Sequence, residues 1–297
     1  MTKTKLFIWN CDYSETSGEG KLARLFIKHY KINKKFILKF NQKKIIKYKY
    51  FSSLQGIIFC WIKYLNKEKV CYLNYLPFWN FLIFLLLPPQ TIIGPITGGS
   101  NFEKSITAYY FIRKFIFPFF YKISEILIFI RFQDIVFSTS LLKKYISKKN
   151  HKRCHFNFIL SSVNSIKKAK KKYDFIIYHR KHQNKSSFFP YNFLKKLSDE
   201  NFKIIVVGDR LQIGSIINFG FVTNKTVNYL QSKSRFSIAS GENIYSFFTL
   251  ECISNNTKIL FDESLKKQIS AYKKKFIPIN FNKDDYKKIF KELKKIK

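Results

Sequence analysis

The chain has 297 residues, enough for one large domain or two ordinary ones, and its 46% apolar content excludes a wholly disordered polypeptide. Lys and Arg number 55 against 18 Asp and Glu, a net charge of +37 whose field attracts nucleic acid, acidic lipid headgroups or phosphorylated small molecules. The accompanying wealth of Lys, Ile, Phe and Asn is also what A+T-rich codons produce, so the charge alone does not name a partner.

Cys11, Cys60, Cys71, Cys154 and Cys252 are odd in number and contain no CxxC pair, so the pattern suggests neither a zinc site nor a disulfide framework, and reduced cytosolic thiols fit it. The first residues, MTKTKLFIWNCDYSE, turn acidic too soon for a signal peptide. Phe78–Pro89 is shorter than the roughly 20 residues that span a bilayer, and it reads as a buried helix. Segment 109–132 is interrupted by Arg113, Lys114, Pro118, Lys122 and Glu125. It reads either as a buried hairpin or as an interfacial surface rich in aromatic and basic residues.

In chain order, strands are expected at 5–10, 35–40, 70–75, 91–94, 134–139 and 155–160. A polar, basic linker without apolar period follows at 161–172. A second series is expected at 173–179, 202–209, 236–240, 258–262 and 275–279. Strands alternating with helix-length segments imply parallel sheets covered by helices. The fold class is therefore α/β, with two Rossmann-like, doubly wound domains facing a cleft. An N-terminal domain at 1–165, a second at 173–280 and a closing amphipathic helix at 281–297 are expected. That helix sets Tyr286, Ile289, Phe290, Leu293 and Ile296 on one face, with Asp284 and Asp285 at its positive end.

Candidate site residues cluster where strands end. After the first strand, Gly18 and Gly20 lie in a Ser/Gly-rich turn, with a helix expected from about Lys21. The turn is neither GxGxxG nor a P-loop. A second glycine turn, GPITGGS, carries Thr97, Gly98 and Gly99, which either leave room for a ligand or serve only the turn. Past the linker, Arg180 follows a strand and Lys185 comes five residues later. A guanidinium fork and an ammonium point charge suit a diphosphate.

The stretch SGENIYSFFTLE completes the set. A helix is expected from about Asn243, so the N–H groups of 243–246, including Asn243, Ile244 and Tyr245 just past Gly241, could hold phosphate or a sugar hydroxyl. Glu251 shares an apolar stripe with Ile244, Phe247 and Phe248. A carboxylate there needs donors such as ribose hydroxyls, or a Lys or Arg. Glu242 lies in the preceding loop. No DxD stands at a strand end, and His29, His151, His155, His179 and His182 form no ligand set.

On these residues, 173–263 resembles the nucleotide-binding domain of GT-B glycosyltransferases of the retaining, glycogen-synthase-like type, which includes many bacterial polysaccharide enzymes. Resemblance is weaker over 4–30 and 91–100. It implies that Arg180 and Lys185 hold the donor diphosphate, that Glu251 holds the ribose and that Glu242 contacts the sugar. It also implies donor phosphate near Gly18 and Gly20, and an acceptor side at Ser17, Glu19, Thr97, Gly98 and Gly99. The implied reaction is metal-free sugar transfer, with no cofactor, from a UDP- or GDP-sugar to a surface glycan such as O-antigen or capsule, free or lipid-linked. The expected place is the cytoplasm; the basic aromatic segment 109–132 and the net charge add an expected association with anionic lipid on the inner face of the cytoplasmic membrane. The chain departs from the family pattern in three ways. Eight residues rather than seven separate the glutamates, His179 stands for the glycine before Arg180, and Ser186 stands for the glycine after Lys185. The rival expectation is a non-catalytic basic protein that binds nucleic acid or anionic membrane on the same scaffold.

Overall fold

A computed structural model describes residues 6–10, 12–15, 17–31, 37–39, 49–100, 108–163, 169–181, 189–281 and 285–296, with backbone alone at 37–39, 49–51 and 109. The chain divides into two compact units, one drawn from 1–99 and 104–161, the other from 100–103 and 162–297.

In the first unit, β1 (Leu6–Asn10), β2 (Ile37–Lys39), β3 (Lys69–Tyr72) and β5 (Ile92–Ile93) form a parallel sheet in the order β2-β1-β3-β5. Side chains alternate across it as a strand requires. Ile8 and Cys71 face the helix Gly18–His29, packing with its Ala23, Phe26 and Ile27. Trp9, Val70 and Tyr72 face the other way, into a core with Ile57 and Cys60 of helix Lys49–Leu65. Gly56 permits this approach, because a Cβ there would sit 2.4 Å from the Trp9 ring. The short pairs β4 (Leu76–Pro77) with β6 (Ile96–Thr97), and β7 (Ile135–Val136) with β8 (Cys154–His155), finish the unit.

The expected strand at 155–160 is a correction. After His155 the chain turns, and Phe158–Ser162 is a 3-10 helix. Its Phe158 and Ile159 side chains are buried, but their N–H groups donate to the Phe137 and Ser138 carbonyls, so no regular ladder extends. Segment 109–132 is no hairpin. Ala108–Phe111, a π-helical Ile112–Ile116 and Phe117–Arg131 run on end to end, with Pro118 tolerated near the start of the last piece. The helix expected within Phe78–Pro89 spans Phe81–Leu86, and only Ile83 and Phe84 of it are buried. Among the described residues no helix is long and apolar enough to cross a membrane.

The second unit carries a six-stranded parallel sheet, β11-β10-β9-β12-β13-β14. Its strands are β9 (Tyr173–His179), β10 (Ile204–Gly208), β11 (Ile217–Gly220), β12 (Ser234–Ile238), β13 (Lys258–Asp262) and β14 (Phe276–Ile279). Interior strand β10, IIVVG, is buried throughout, as a strand covered on both faces must be. Phe175, Ile177, Val206, Phe236 and Leu260 point into one core. Helix Tyr191–Asp199 and the terminal helix Lys287–Lys295 close that core with Phe193, Leu197, Phe290 and Leu293, joined by Tyr286 ahead of the terminal helix. Ahead of the terminal helix, Asp285 Oδ1 accepts from the Lys287 N–H at 2.9 Å, while Asp284 lies outside the described residues. Edge strand β11 is exposed and has no apolar period, so only its pairing with β10 reveals it.

Candidate functional site

Each of the two larger sheets has one place where the strand order reverses, and open α/β sheets bind ligands beyond the carboxyl ends of the strands at such points. In the first unit the chain leaves β1 for β2 on one side and returns to β3 on the other. A small cavity, open to solvent, sits there, lined in part by Asn10, Asp12, Glu19, Asn74, Tyr75 and Thr97. Asn10 ends β1 and is buried. Its Oδ1 accepts from the Asp12 N–H at 3.0 Å, and its Nδ2 meets no hydrogen-bond partner among the described residues. An unsatisfied buried amide is costly, and Asn10 is one of the residues that line the cavity.

Asp12 organises the turn that follows. Its carboxylate accepts from Ser14 N at 2.8 Å and from Ser17 Oγ. Arg24 donates to the Tyr13 carbonyl at 2.9 Å and to that of Ser14. Burial pushes the Asp12 carboxyl up, but hydrogen bonds from Ser17 and Ser14, with the Arg24 charge, outweigh it and hold the group below its usual range. Asp12 is thus an ionised brace of the turn.

The helix begins at Gly18 rather than near Lys21, because Ser17 is the N-cap and its Oγ accepts from Gly20 N at 2.8 Å. A Cβ on Gly20 would lie 2.3 Å from the Ser14 carbonyl oxygen, so this glycine serves the approach of the Asp12–Ser17 turn. A Cβ on Gly18 would meet open space, and Glu19 lines the cavity. Gly98 and Gly99 adopt φ of +129° and +73°, backbone conformations that favour glycine, and a Cβ on Gly99 would lie 3.0 Å from the Leu141 backbone. Sequence reasoning passed over Asn10, Asp12 and Asn74. Their signal was position, at the ends of the two strands that flank the reversal.

In the second unit the reversal falls between β9 and β12. These strands are hydrogen-bonded neighbours, with Phe175 opposite Phe236 and Ile176 opposite Ser237, so the loops after His179 and Ile238 leave side by side. Arg180 is the first residue past β9. It is exposed and makes no hydrogen bond or ion pair among the described residues. Its loop is tied to the end of β10, where Asp209 accepts from Lys181 N at 2.7 Å and donates its N–H to the His179 carbonyl. Lys185 and His182 lie outside the described residues.

His179, the last residue of β9, is buried. Its Nδ1 donates to the Asp209 carbonyl at 3.0 Å, which leaves Nε2 to accept from the Tyr191 hydroxyl at 3.3 Å. Phe189 and Tyr191 rings enclose it. The imidazole is a packed anchor of the loop.

On the β12 side, the helix starts at Phe247, four residues later than the sequence suggests, because Ser246 is the N-cap and accepts from Thr249 N at 3.1 Å. Residues 243–246 are therefore a turn. Asn243 Oδ1 takes the Tyr245 N–H at 3.1 Å, so that donor is engaged within the protein. Tyr245 is buried. Its hydroxyl accepts from Ser270 N and Ala271 N at 2.9 and 2.7 Å and donates to the Ala271 carbonyl at 2.9 Å. This clamps the turn that carries half-buried Gly241 and Glu242, whose N–H reaches Ser240 Oγ at 3.3 Å. Ile244 is fully buried and precedes the helix. Glu251 is half-buried in the helix's second turn, and Phe248 of the same helix stacks on Tyr178 of β9 at 5.4 Å. Among the described residues no group of His, Cys, Asp and Glu could hold a metal ion.

No protein-family model matches the sequence, and no curated protein matches it. Solved structures do. The glycosyltransferase of Rickettsia africae superposes with a TM-score of 0.56 at 12% identity, over 99% of this chain and 89% of that one. Anabaena HepE in complex with UDP-glucose gives 0.53 at 8% identity, over 98% and 89%. UDP-GlcNAc 2-epimerase from Neisseria meningitidis, bound to UDP-GlcNAc, gives 0.51 at 11% identity, over 98% and 91%. The likeness is one of fold: the chain has the mixed α/β fold of GT-B proteins, in which glycosyltransferases and sugar-nucleotide epimerases are built.

Proposed function

We propose that the protein is a nucleotide-sugar-dependent glycosyltransferase. The observation that carries this reading is the pair of loops at the β9/β12 reversal. An exposed arginine follows one strand, and a carboxylate loop clamped through Tyr245 follows its neighbour. In this reading Arg180, with Lys185, binds the donor diphosphate. Glu251 accepts from the ribose hydroxyls, and Glu242 contacts the sugar. The cations stabilise negative charge that grows on the departing diphosphate. The bond from the anomeric carbon to the phosphate oxygen breaks as an acceptor hydroxyl attacks from the same face. The hydroxyl's proton passes to the leaving phosphate, and configuration is retained without a metal. The acceptor hydroxyl belongs to a surface glycan, free or lipid-linked, with Ser17, Glu19, Thr97, Gly98 and Gly99 as the acceptor-side residues. Solved neighbours hold UDP-GlcNAc and UDP-glucose, which makes uridine sugars the first donors to try, followed by GDP-sugars.

The test is a donor screen by thermal shift, followed by nucleotide release with glycan acceptors. One UDP- or GDP-sugar should raise the melting temperature, and Arg180→Ala and Glu251→Ala should each abolish the rise. If no sugar nucleotide stabilises the protein and neither variant alters anything, the reading fails. Strongly salt-dependent DNA binding would then favour the rival, a non-catalytic basic binding protein.

A further inference from the structure

Three helices of the first unit are apolar on the side away from its core. On Lys49–Leu65, Leu54, Ile58, Trp61, Ile62 and Leu65 recur at helical spacing and are all exposed, Leu65 by 71%, while Ile57 and Cys60 fill the core behind them. On Phe81–Leu86 the exposed residues are Leu82, Leu85 and Leu86. Along 108–131 a stripe runs through Phe111, Phe115, Phe119, Ile126 and Ile130, with Phe119 63% and Ile130 77% exposed. The three form one surface. Trp61 Nε1 donates to the Leu86 carbonyl at 2.7 Å, Phe81 packs on Phe120 at 5.3 Å, and Trp79 stacks on Phe117 at 5.4 Å. Monomeric soluble proteins seldom leave so continuous an apolar face bare.

Cations border it. Arg113 and Lys114 interrupt the stripe, with Lys114 Nζ over the Phe115 ring. The basic run 143–153 is held along the same helix, because Glu125 accepts from Ser147 N and Arg153 donates to the Phe129 and Phe132 carbonyls. Exposed aromatics and aliphatics beside Lys and Arg fit one partner best. A second copy of the chain would bring +37 against +37. Nucleic acid would supply negative charge but no apolar medium for Leu and Ile. An anionic bilayer supplies both, and its interface favours tryptophan. We propose that this three-helix face docks the first unit on the surface of an anionic lipid bilayer, without spanning it. The inference is independent of the sugar-transfer reading.

Flotation at low salt with phosphatidylglycerol–phosphatidylcholine vesicles, set against pure phosphatidylcholine, tests it. The chain should float with the anionic vesicles only, and release with added salt. Trp61 and Trp79, two of the three tryptophans, lie on the face, so fluorescence should shift to the blue and be quenched by brominated lipid. Leu65→Glu and Phe119→Glu, on different helices, should each weaken partition about tenfold or more. Both sites are solvent-exposed, so circular dichroism should be unchanged. Phe221→Glu, at a 79%-exposed aromatic of the second unit, should float as the parent does. Three outcomes overturn the proposal: no flotation with anionic vesicles at low salt, equal loss from Phe221→Glu, or a dimer that Leu65→Glu splits without any vesicle binding. Equal, salt-insensitive flotation on phosphatidylcholine overturns the anionic assignment.

Discussion

Glu125→Gln should destabilise the first unit by about 2 kcal/mol at neutral pH. Glu125 is buried on helix Phe117–Arg131. Its Oε1 accepts from Ser147 N at 2.7 Å and Asn150 Nδ2 at 2.9 Å, and its Oε2 from Lys122 Nζ at 2.8 Å. Burial alone would raise the carboxyl. The bonds from Lys122, Ser147 and Asn150 outweigh it and hold the group at about 2, against 4.5 ordinarily. That difference corresponds to roughly 3 kcal/mol. The Lys122 side chain is 61% exposed, and solvent screening trims its share, leaving roughly 2 kcal/mol. Glutamine preserves the shape but removes the charge and turns one acceptor into a donor. For a unit of this size the melting temperature should fall by roughly 4–8 °C. The sign with pH follows from a depressed carboxyl. The stabilisation is complete above 4.5 and drains as pH falls toward 2, so the gap between parent and variant should narrow on acidification. All three tryptophans, Trp9, Trp61 and Trp79, lie in this unit, so their fluorescence reports its unfolding. Equal melting temperatures at pH 7, or a gap that does not narrow between neutral and acid pH, would refute the reasoning.

Gly20→Ala drives a Cβ against the Ser14 backbone at 2.3 Å and should cost about 2 kcal/mol or more. Gly18→Ala, in open space at a helix start, should be neutral or stabilising by up to about 0.5 kcal/mol; thermal melts of the two separate packing from propensity. Tyr245→Phe strands two backbone N–H groups and a carbonyl and should cost roughly 2–4 kcal/mol in urea unfolding of the second unit. If nucleotide sugars bind at this loop, their thermal shift should shrink with it. Lys171 is pushed down to about 8, first by burial and then by Lys275 and Lys233, against the opposing Cys252. A lysine lowered by folding weakens the fold while it is charged. Lys171→Met should therefore raise the melting temperature, most below pH 8, with the gain vanishing as pH rises toward 10.5.

Local pattern carried a large part of the fold. KLFIWN, YDFIIYH, FKIIVVGD and KILFD are short apolar runs set between helix-length segments, and β1, β9, β10 and β13 form within them. The terminal helix was legible from the spacing of Tyr286, Phe290 and Leu293, which do enter the core. Both helix starts at the site differ from the expectation because a serine caps each: Ser17 moves one earlier, to Gly18, and Ser246, preceded by buried Ile244 and Tyr245, moves the other later, to Phe247. Hydrophobicity marks burial, whereas the cap decides where the helical hydrogen bonds begin. HFNFIL met the same fate. Phe158 and Ile159 are buried, but backbone pairing with Phe137 and Ser138 made it a 3-10 turn.

The sequence by itself determined the α/β class, the parallel strands and the residue types at their carboxyl ends, because periodicity and turn chemistry act over a few residues. Only the tertiary structure decided the order of the strands. The two reversal points follow from that order: Asn10, Asp12 and Asn74 meet at one cavity, and the loops of Arg180 and Glu242 leave from neighbouring strands. It also decided that the apolar faces of three helices converge and stay uncovered. Apolarity is a property of one segment, whereas burial depends on whether another segment of the chain arrives to cover it.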